Sequence, residues 1–229
     1  MQQISEPLTI DLGGGETVSA ILSGPGHARQ SGPTGLILAH GAGNDMHNPL
    51  ITAVAVRLAA EGFPVLRFNF LYKEKGKKSP DSQTRLEHTW QRAWETMQGQ
   101  TRFPLERIVA AGKSMGGRVA SQMAAAGRLP AAALVFLGYP LHAPGKSDQL
   151  RDEHLYRIQA PMLFFTGTRD PFCDLGRLAG VLARLTAPHD LEIIAGGNHS
   201  FGLPRSDERT EADIHDHITA KCLQWLHNR

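Results

Sequence analysis

The stretch Ile108-Val109-Ala110-Ala111-Gly112-Lys113-Ser114-Met115-Gly116-Gly117, continuing as Arg118-Val119-Ala120-Ser121-Gln122-Met123-Ala124-Ala125-Ala126, decides the architecture. Its apolar opening has the character of a strand covered on both faces. Its Ala-, Met- and Gln-containing continuation predicts a helix. Between them a Gly-x-Ser-x-Gly pattern sets Ser114 at a sharp strand-to-helix corner. Residues two before and two after such a corner pass close to neighbouring backbone, so Gly112 and Gly116 supply the missing Cβ, and Gly117 extends that tolerance.

Outward from this corner the same alternation repeats. Leu36–Ala39, Val65–Phe70, Ala133–Leu137, Met162–Thr166 and Leu191–Ile194 are further short, nearly continuous apolar runs. Pro49–Ala60, Arg85–Met97 and Asp174–Leu185 lie between such runs, and each is long enough for a crossover helix. In the last segment Ile214, Ile218, Cys222 and Trp225 form one apolar helical stripe that should pack on the sheet. Leu8–Leu12 and Thr17–Leu22, joined through Gly13-Gly14-Gly15, predict an opening antiparallel hairpin. Lys73–Ser82, with Lys73, Lys75, Lys77 and Lys78, predicts a solvated loop. The whole points to one α/β domain over residues 1–229, with a mostly parallel sheet and helices on both faces.

Composition narrows the function. With 24 Lys and Arg against 22 Asp and Glu, the net charge of +2 gives no reason to expect a nucleic acid or an anionic membrane as partner. Cys173 and Cys222 are far apart and outside any Cys-x-x-Cys spacing, which argues against a disulfide framework and favours a reducing compartment. Met1 to Glu6 show no basic run leading into an apolar core, and no later apolar run approaches the roughly 18 residues of a membrane span. A cytosolic protein is expected. Eleven histidines are scattered along the chain, mostly as expected for solvated surface. No paired-histidine spacing with carboxylate support occurs at the relevant sheet edge, so neither a metal nor a cofactor is expected.

The chemistry follows from the corner. A serine hydroxyl is a weak nucleophile at neutral pH and needs a base beside it, itself oriented by an acid. Downstream, the run Met162–Thr166 leads through Gly167-Thr168-Arg169 into Asp170, a carboxylate at the carboxyl end of a strand, where ligand sites of open α/β sheets gather. Asp170 is the expected acid. Its simpler use is a turn or cap before Pro171, and Asp174 is the reserve candidate. One strand later Gly196-Gly197-Asn198-His199-Ser200-Phe201 places His199, the expected base, on a Gly-rich loop. His142 and His189 fall in the wrong order or on the wrong edge and are expected at the surface. The tetrahedral oxyanion needs amide donors, assigned to Met115 after the nucleophile and to Ala42 in the loop His40-Gly41-Ala42-Gly43. His40 is expected to brace that loop rather than react.

With these residues in place the chain resembles the α/β-hydrolase superfamily from about Leu8 to Arg229. His40-Gly41-Ala42-Gly43, Arg67-Phe68-Asn69-Phe70, Gly112-Lys113-Ser114-Met115-Gly116-Gly117 and Gly197-Asn198-His199-Ser200-Phe201 are similar to the compact dienelactone-hydrolase-related group. That group includes bacterial hydrolases and a chromatin-complex subunit with a hydrolase-like domain. The resemblance implies an α/β-hydrolase fold with an eight-stranded sheet. Dienelactone hydrolases carry a cysteine nucleophile, whereas position 114 is serine, so their lactone substrate does not transfer. Many members insert a lid after the sixth strand. Here only Gly138 to Gln159 is available, enough for a loop and one short helix and not for a large cap.

An open site suits a small acyl substrate. Phe70, Tyr72, Tyr139 and Phe201, with Leu71 and Leu141, are expected to line its mouth; Lys113 and Lys73 are expected to serve ordinary packing or solvation, with attraction of an anionic substrate as the lesser alternative. The principal expectation is a serine esterase. Peptidase, thioesterase and acyltransferase chemistry would use the same triad, and a non-catalytic scaffold would keep the fold without needing it.

Overall fold

The computed structural model describes residues 3–26 and 33–229. Strands β1 (Gln3–Gly13) and β2 (Glu16–Pro25) form the antiparallel opening hairpin. Both run several residues beyond the expected spans, because β1 is an exposed edge strand whose outer residues need no apolar pattern. The remaining strands are β3 (Thr34–Ala39), β4 (Val65–Phe68), β5 (Arg107–Lys113), β6 (Ala133–Leu137), β7 (Met162–Gly167) and β8 (His189–Ile194). They complete an eight-stranded sheet in the order β1-β2-β4-β3-β5-β6-β7-β8. From β4 to β8 every pairing is parallel.

Among the described residues six α-helices accompany the strands: α1 (Pro49–Ala60), α2 (Leu71–Glu74), α3 (Gln83–Gly99), α4 (Met115–Ala125), α5 (Leu175–Leu182) and α6 (Glu211–His227). Period-2 alternation along the central strands feeds two cores. On β5, Val109 and Ala111 pack with α1 and α6 on one face, while Ile108 and Ala110 pack with α3 and α4 on the other. On β6, Leu134 and Phe136 point toward the α5 side, and Val135 and Leu137 toward α6. Removing one large buried ring such as Trp90 or Phe136 from these layers should cost about 3–5 kcal/mol. The helix starts are well specified: Asn48 caps α1 ahead of Pro49, and Thr210 and Asp213 form a reciprocal capping box on α6.

β4 stops at Phe68 instead of continuing to Phe70. The backbone amide of Asn69 bonds to Ser19, and that of Phe70 leaves the ladder for the ring of His40, so the chain turns into α2. Between β6 and β7 the chain holds one 3-10 turn, Leu155–Arg157, and no large cap. Among the described residues no helix is long and apolar enough to cross a membrane.

Candidate active site

The carboxyl ends of β3, β5, β7 and β8 converge on one edge of the sheet, and each carries one of the sequence-predicted groups. Ser114 follows β5 and precedes α4 with φ 49° and ψ −115°, a left-handed backbone that side chains rarely adopt. The corner is held open by missing side chains. A Cβ on Gly112 would lie 2.3 Å from the amide nitrogen of Gly117, and one on Gly116 would lie 2.6 Å from the carbonyl oxygen of His40. The amide of Ser114 itself bonds to Leu137 at 3.1 Å, tying the corner to β6.

The loops bearing Asp170 and His199 meet by the same device. A Cβ on Gly167 would stand 2.1 Å from the carbonyl oxygen of Gly197, so β7 and the loop after β8 can touch only with glycine there. The Ser114 hydroxyl lies 2.7 Å from His199 Nε2, and His199 Nδ1 lies 2.8 Å from Asp170 Oδ2. Asp170 is fully shielded at its side chain, while His199 keeps 17% of its side chain exposed. Asp170 also accepts from the Phe172 amide at 2.8 Å, so the simpler turn role and contact with histidine coexist in one carboxylate. Asp174 is instead the cap of α5, accepting from the Arg177 amide at 2.8 Å.

The loop after β3 is braced from several sides. His40 is fully buried, with Nε2 accepting from the Phe70 amide at 3.1 Å and Nδ1 donating to the Gly41 carbonyl at 2.8 Å. Burial pushes its pKa down to about 4, so the ring is neutral in this role. Buried Arg67 bonds to Met46 and Thr52, and Asn69 accepts from the Met46 amide. Ala42 sits on the exposed crest of this loop. Next to it, a Cβ on Gly41 would be 3.4 Å from that of Ser114. Met115 opens α4, where first-turn amides have no partner within the helix.

Four aromatic rings are placed differently from expectation. Phe70, Tyr72, Tyr139 and Phe201 are at most 2% exposed and lie beneath the mouth rather than around it. Leu71 and Leu141 are buried with them. The Tyr72 hydroxyl accepts from Gly43 and donates to the Gly41 carbonyl, bracing the loop of Ala42. The Tyr139 hydroxyl donates to Arg151 and meets His154 at 3.0 Å. Lys113 also points inward and is buried, so it presents no charge at the mouth. Each of the four rings lies on the segment that follows a strand, where the chain bends away and strand alternation no longer predicts side-chain direction.

Some histidines assumed to be solvated are structural. His142 is 4% exposed, and its Nε2 accepts from the Asp174 amide, which secures the loop bearing Asp170. His154 is buried against Ser121 and Tyr139, and burial with Arg118 nearby lowers its pKa to about 4. Phe172, which sequence reading passed over, lies with its ring centroid 4.4 Å from that of His199. Its only signal was its place two residues after Asp170.

A strand-corner serine facing a loop histidine across a mostly parallel sheet is the arrangement of an α/β hydrolase. The family model for the alpha/beta hydrolase domain matches residues 33–227, and the chain belongs to that family. The fold is shared with a dienelactone hydrolase from Anabaena variabilis, at 20% identity and a TM-score of 0.74, over 100% of this chain and 99% of that one. Est1E from Butyrivibrio proteoclasticus, solved with ferulic acid bound, gives 17% identity and a TM-score of 0.76 over 96% of this chain and 99% of its own. An α/β serine hydrolase without a lid, from Xanthomonas campestris, gives 24% identity and a TM-score of 0.73 over 96% and 94%.

Proposed function

We propose that the protein is a serine hydrolase that cleaves small, exposed esters through an acyl-enzyme. The observation that carries this reading is the hydrogen-bonded chain from Ser114 through His199 to shielded Asp170. In the proposed cycle His199 takes the Ser114 proton as the oxygen attacks the acyl carbon, then returns it to the departing alkoxide. Water repeats the sequence on the acyl-enzyme. Asp170 holds the imidazole in the tautomer that leaves Nε2 free to accept and stabilises the imidazolium. The amides of Met115 and Ala42 receive the oxyanion. Side chains, backbone amides and water supply every step.

The short segment between β6 and β7 supports a small acyl substrate over a long lipid chain that must be shielded from water. A small-molecule substrate and a cytoplasmic setting complete the reading. The test is turnover of 4-nitrophenyl acetate together with labelling by a fluorophosphonate probe. Wild type should react with both and Ser114→Ala with neither. An unlabelled, inactive but folded wild type would point to a non-catalytic scaffold. A parallel panel of esters, thioesters and peptides ranks the leaving groups.

A further inference from the structure

Lys113 is the residue that the proposed cycle leaves unused. It immediately precedes Ser114 on β5, yet its side chain runs beneath the site and ends at the base loop. Its Nζ donates to the main-chain carbonyl of His199 at 2.6 Å. The ammonium is 5.7 Å from the centroid of Phe201, whose ring it faces. Gly138 leaves room for this approach, since a Cβ there would be 3.2 Å from Nζ and 2.9 Å from the His199 carbonyl oxygen. Phe201 itself holds φ 64°, strained for a residue with a side chain.

We propose that Lys113 is a positioning residue, whose ammonium pins the His199 main chain and so keeps the imidazole aimed between Ser114 and Asp170. The inference rests on the triad reading given above. Because Lys113 and Ser114 are neighbours on one strand, a bond from Lys113 to His199 sets the nucleophile and the base in a common frame. Two strands separate β5 from β8 in the sheet, so their loops have no backbone ladder to do this.

A passive filler would not be a lysine. Burial of an ammonium is opposed by desolvation unless it is well paired, and the His199 carbonyl is its one hydrogen-bond acceptor among the described residues. Desolvation lowers its pKa to about 8, opposed by the longer-range pull of Asp170. An apolar side chain of similar length would avoid that cost and lose only the bond to the base loop.

The variants are Lys113→Met and Lys113→Arg, assayed with 4-nitrophenyl acetate, with wild type and Ser114→Ala alongside. Lys113→Met should lower kcat by about 10- to 100-fold through misplacement of the base. Its KM should stay within about twofold and its Tm within about 4 °C of wild type. Lys113→Arg, which keeps a charged donor, should recover part of kcat. The downfield NMR resonance of the His199 Nδ1 proton should broaden or move in Lys113→Met and return in Lys113→Arg.

Wild-type kcat in folded Lys113→Met overturns the proposal, and so does a large fall in Tm with kcat unchanged. If Lys113→Met is not recovered in soluble form, Lys113→Gln is judged by the same criteria. A wild type inert to both ester and fluorophosphonate overturns the serine reading itself, and the role of Lys113 with it.

Discussion

The loop that presents Ser114 and the loop that presents His199 reach the same point in space with different balances of backbone and side-chain contacts. The first is locked by backbone against backbone, with Gly112 against Gly117 and Gly116 against the end of β3. The second shares one backbone contact of that kind, Gly167 against Gly197, and is otherwise held by side chains. Asn198 accepts from the amides of Ser200 and Gly202 through one oxygen, and Lys113 holds the His199 carbonyl. A backbone lock fails all at once when a methyl group is added. A side-chain lock loosens by degrees, one bond at a time.

The largest effects should come from removing what the two loops carry. Ser114→Ala should lower kcat on the order of a million-fold, and Asp170→Asn about ten thousand-fold because the imidazole tautomer is no longer held. Burst-phase kinetics on 4-nitrophenyl acetate would check both, and substantial acylation of a Ser114→Ala protein would show that another residue is the nucleophile.

Below these stands the backbone lock. Gly116→Ala drives a methyl group onto the carbonyl oxygens of Ala39 and His40, and the elbow must withdraw from β3. Both proposed oxyanion donors move apart, so kcat should fall by about 100- to 1,000-fold. Overpacking should also reduce stability by about 1–3 kcal/mol. Urea melts and initial rates on one preparation would measure the pair. Retention of both would mean that the elbow has slack its glycines do not indicate.

The side-chain lock should yield less. Asn198→Ala removes the acceptor of two amides in an exposed loop, which solvent can then take over. Stability should drop by about 1 kcal/mol, with kcat reduced about tenfold as the imidazole wanders. An intact kcat would transfer the positioning role entirely to Lys113 and the Phe172 ring.

The same contrast explains how much could be read in advance. The elbow was legible because its constraints follow one another directly along the chain: a strand, the three glycines of Gly112–Gly117, and a helix. The order Ser114, Asp170, His199 was legible because strand ends mark the ligand-bearing edge of a parallel sheet. Tyr139 and Phe201 lie beneath the mouth because Tyr139 follows Gly138, whose φ is positive, and Phe201 itself holds φ 64°, where strand alternation no longer predicts side-chain direction. Lys113, His142 and His154 act through partners far away in sequence. A polar residue satisfied over such distances looks like a solvated one until the fold brings its partner.

Acid offers a way to release side-chain locks while leaving the elbow untouched. His40 braces the loop of Ala42, and His154 ties α4 to the segment after β6; burial lowers both from 6.5 to about 4. Between pH 6.5 and 4 the unfolded chain therefore binds protons that the native fold refuses, and stability falls as pH falls. Each histidine contributes up to about 1.4 kcal/mol per pH unit inside that window. The loss levels off below pH 4, where the native rings also charge. His154→Gln should remove about one such contribution from the slope of unfolding free energy against pH, with kcat at pH 7 near wild type. His40→Gln should flatten the slope by a similar amount but also depress kcat, because the loop it braces faces Ser114. Equal kcat values for the two variants would separate that loop from the oxyanion function proposed for Ala42.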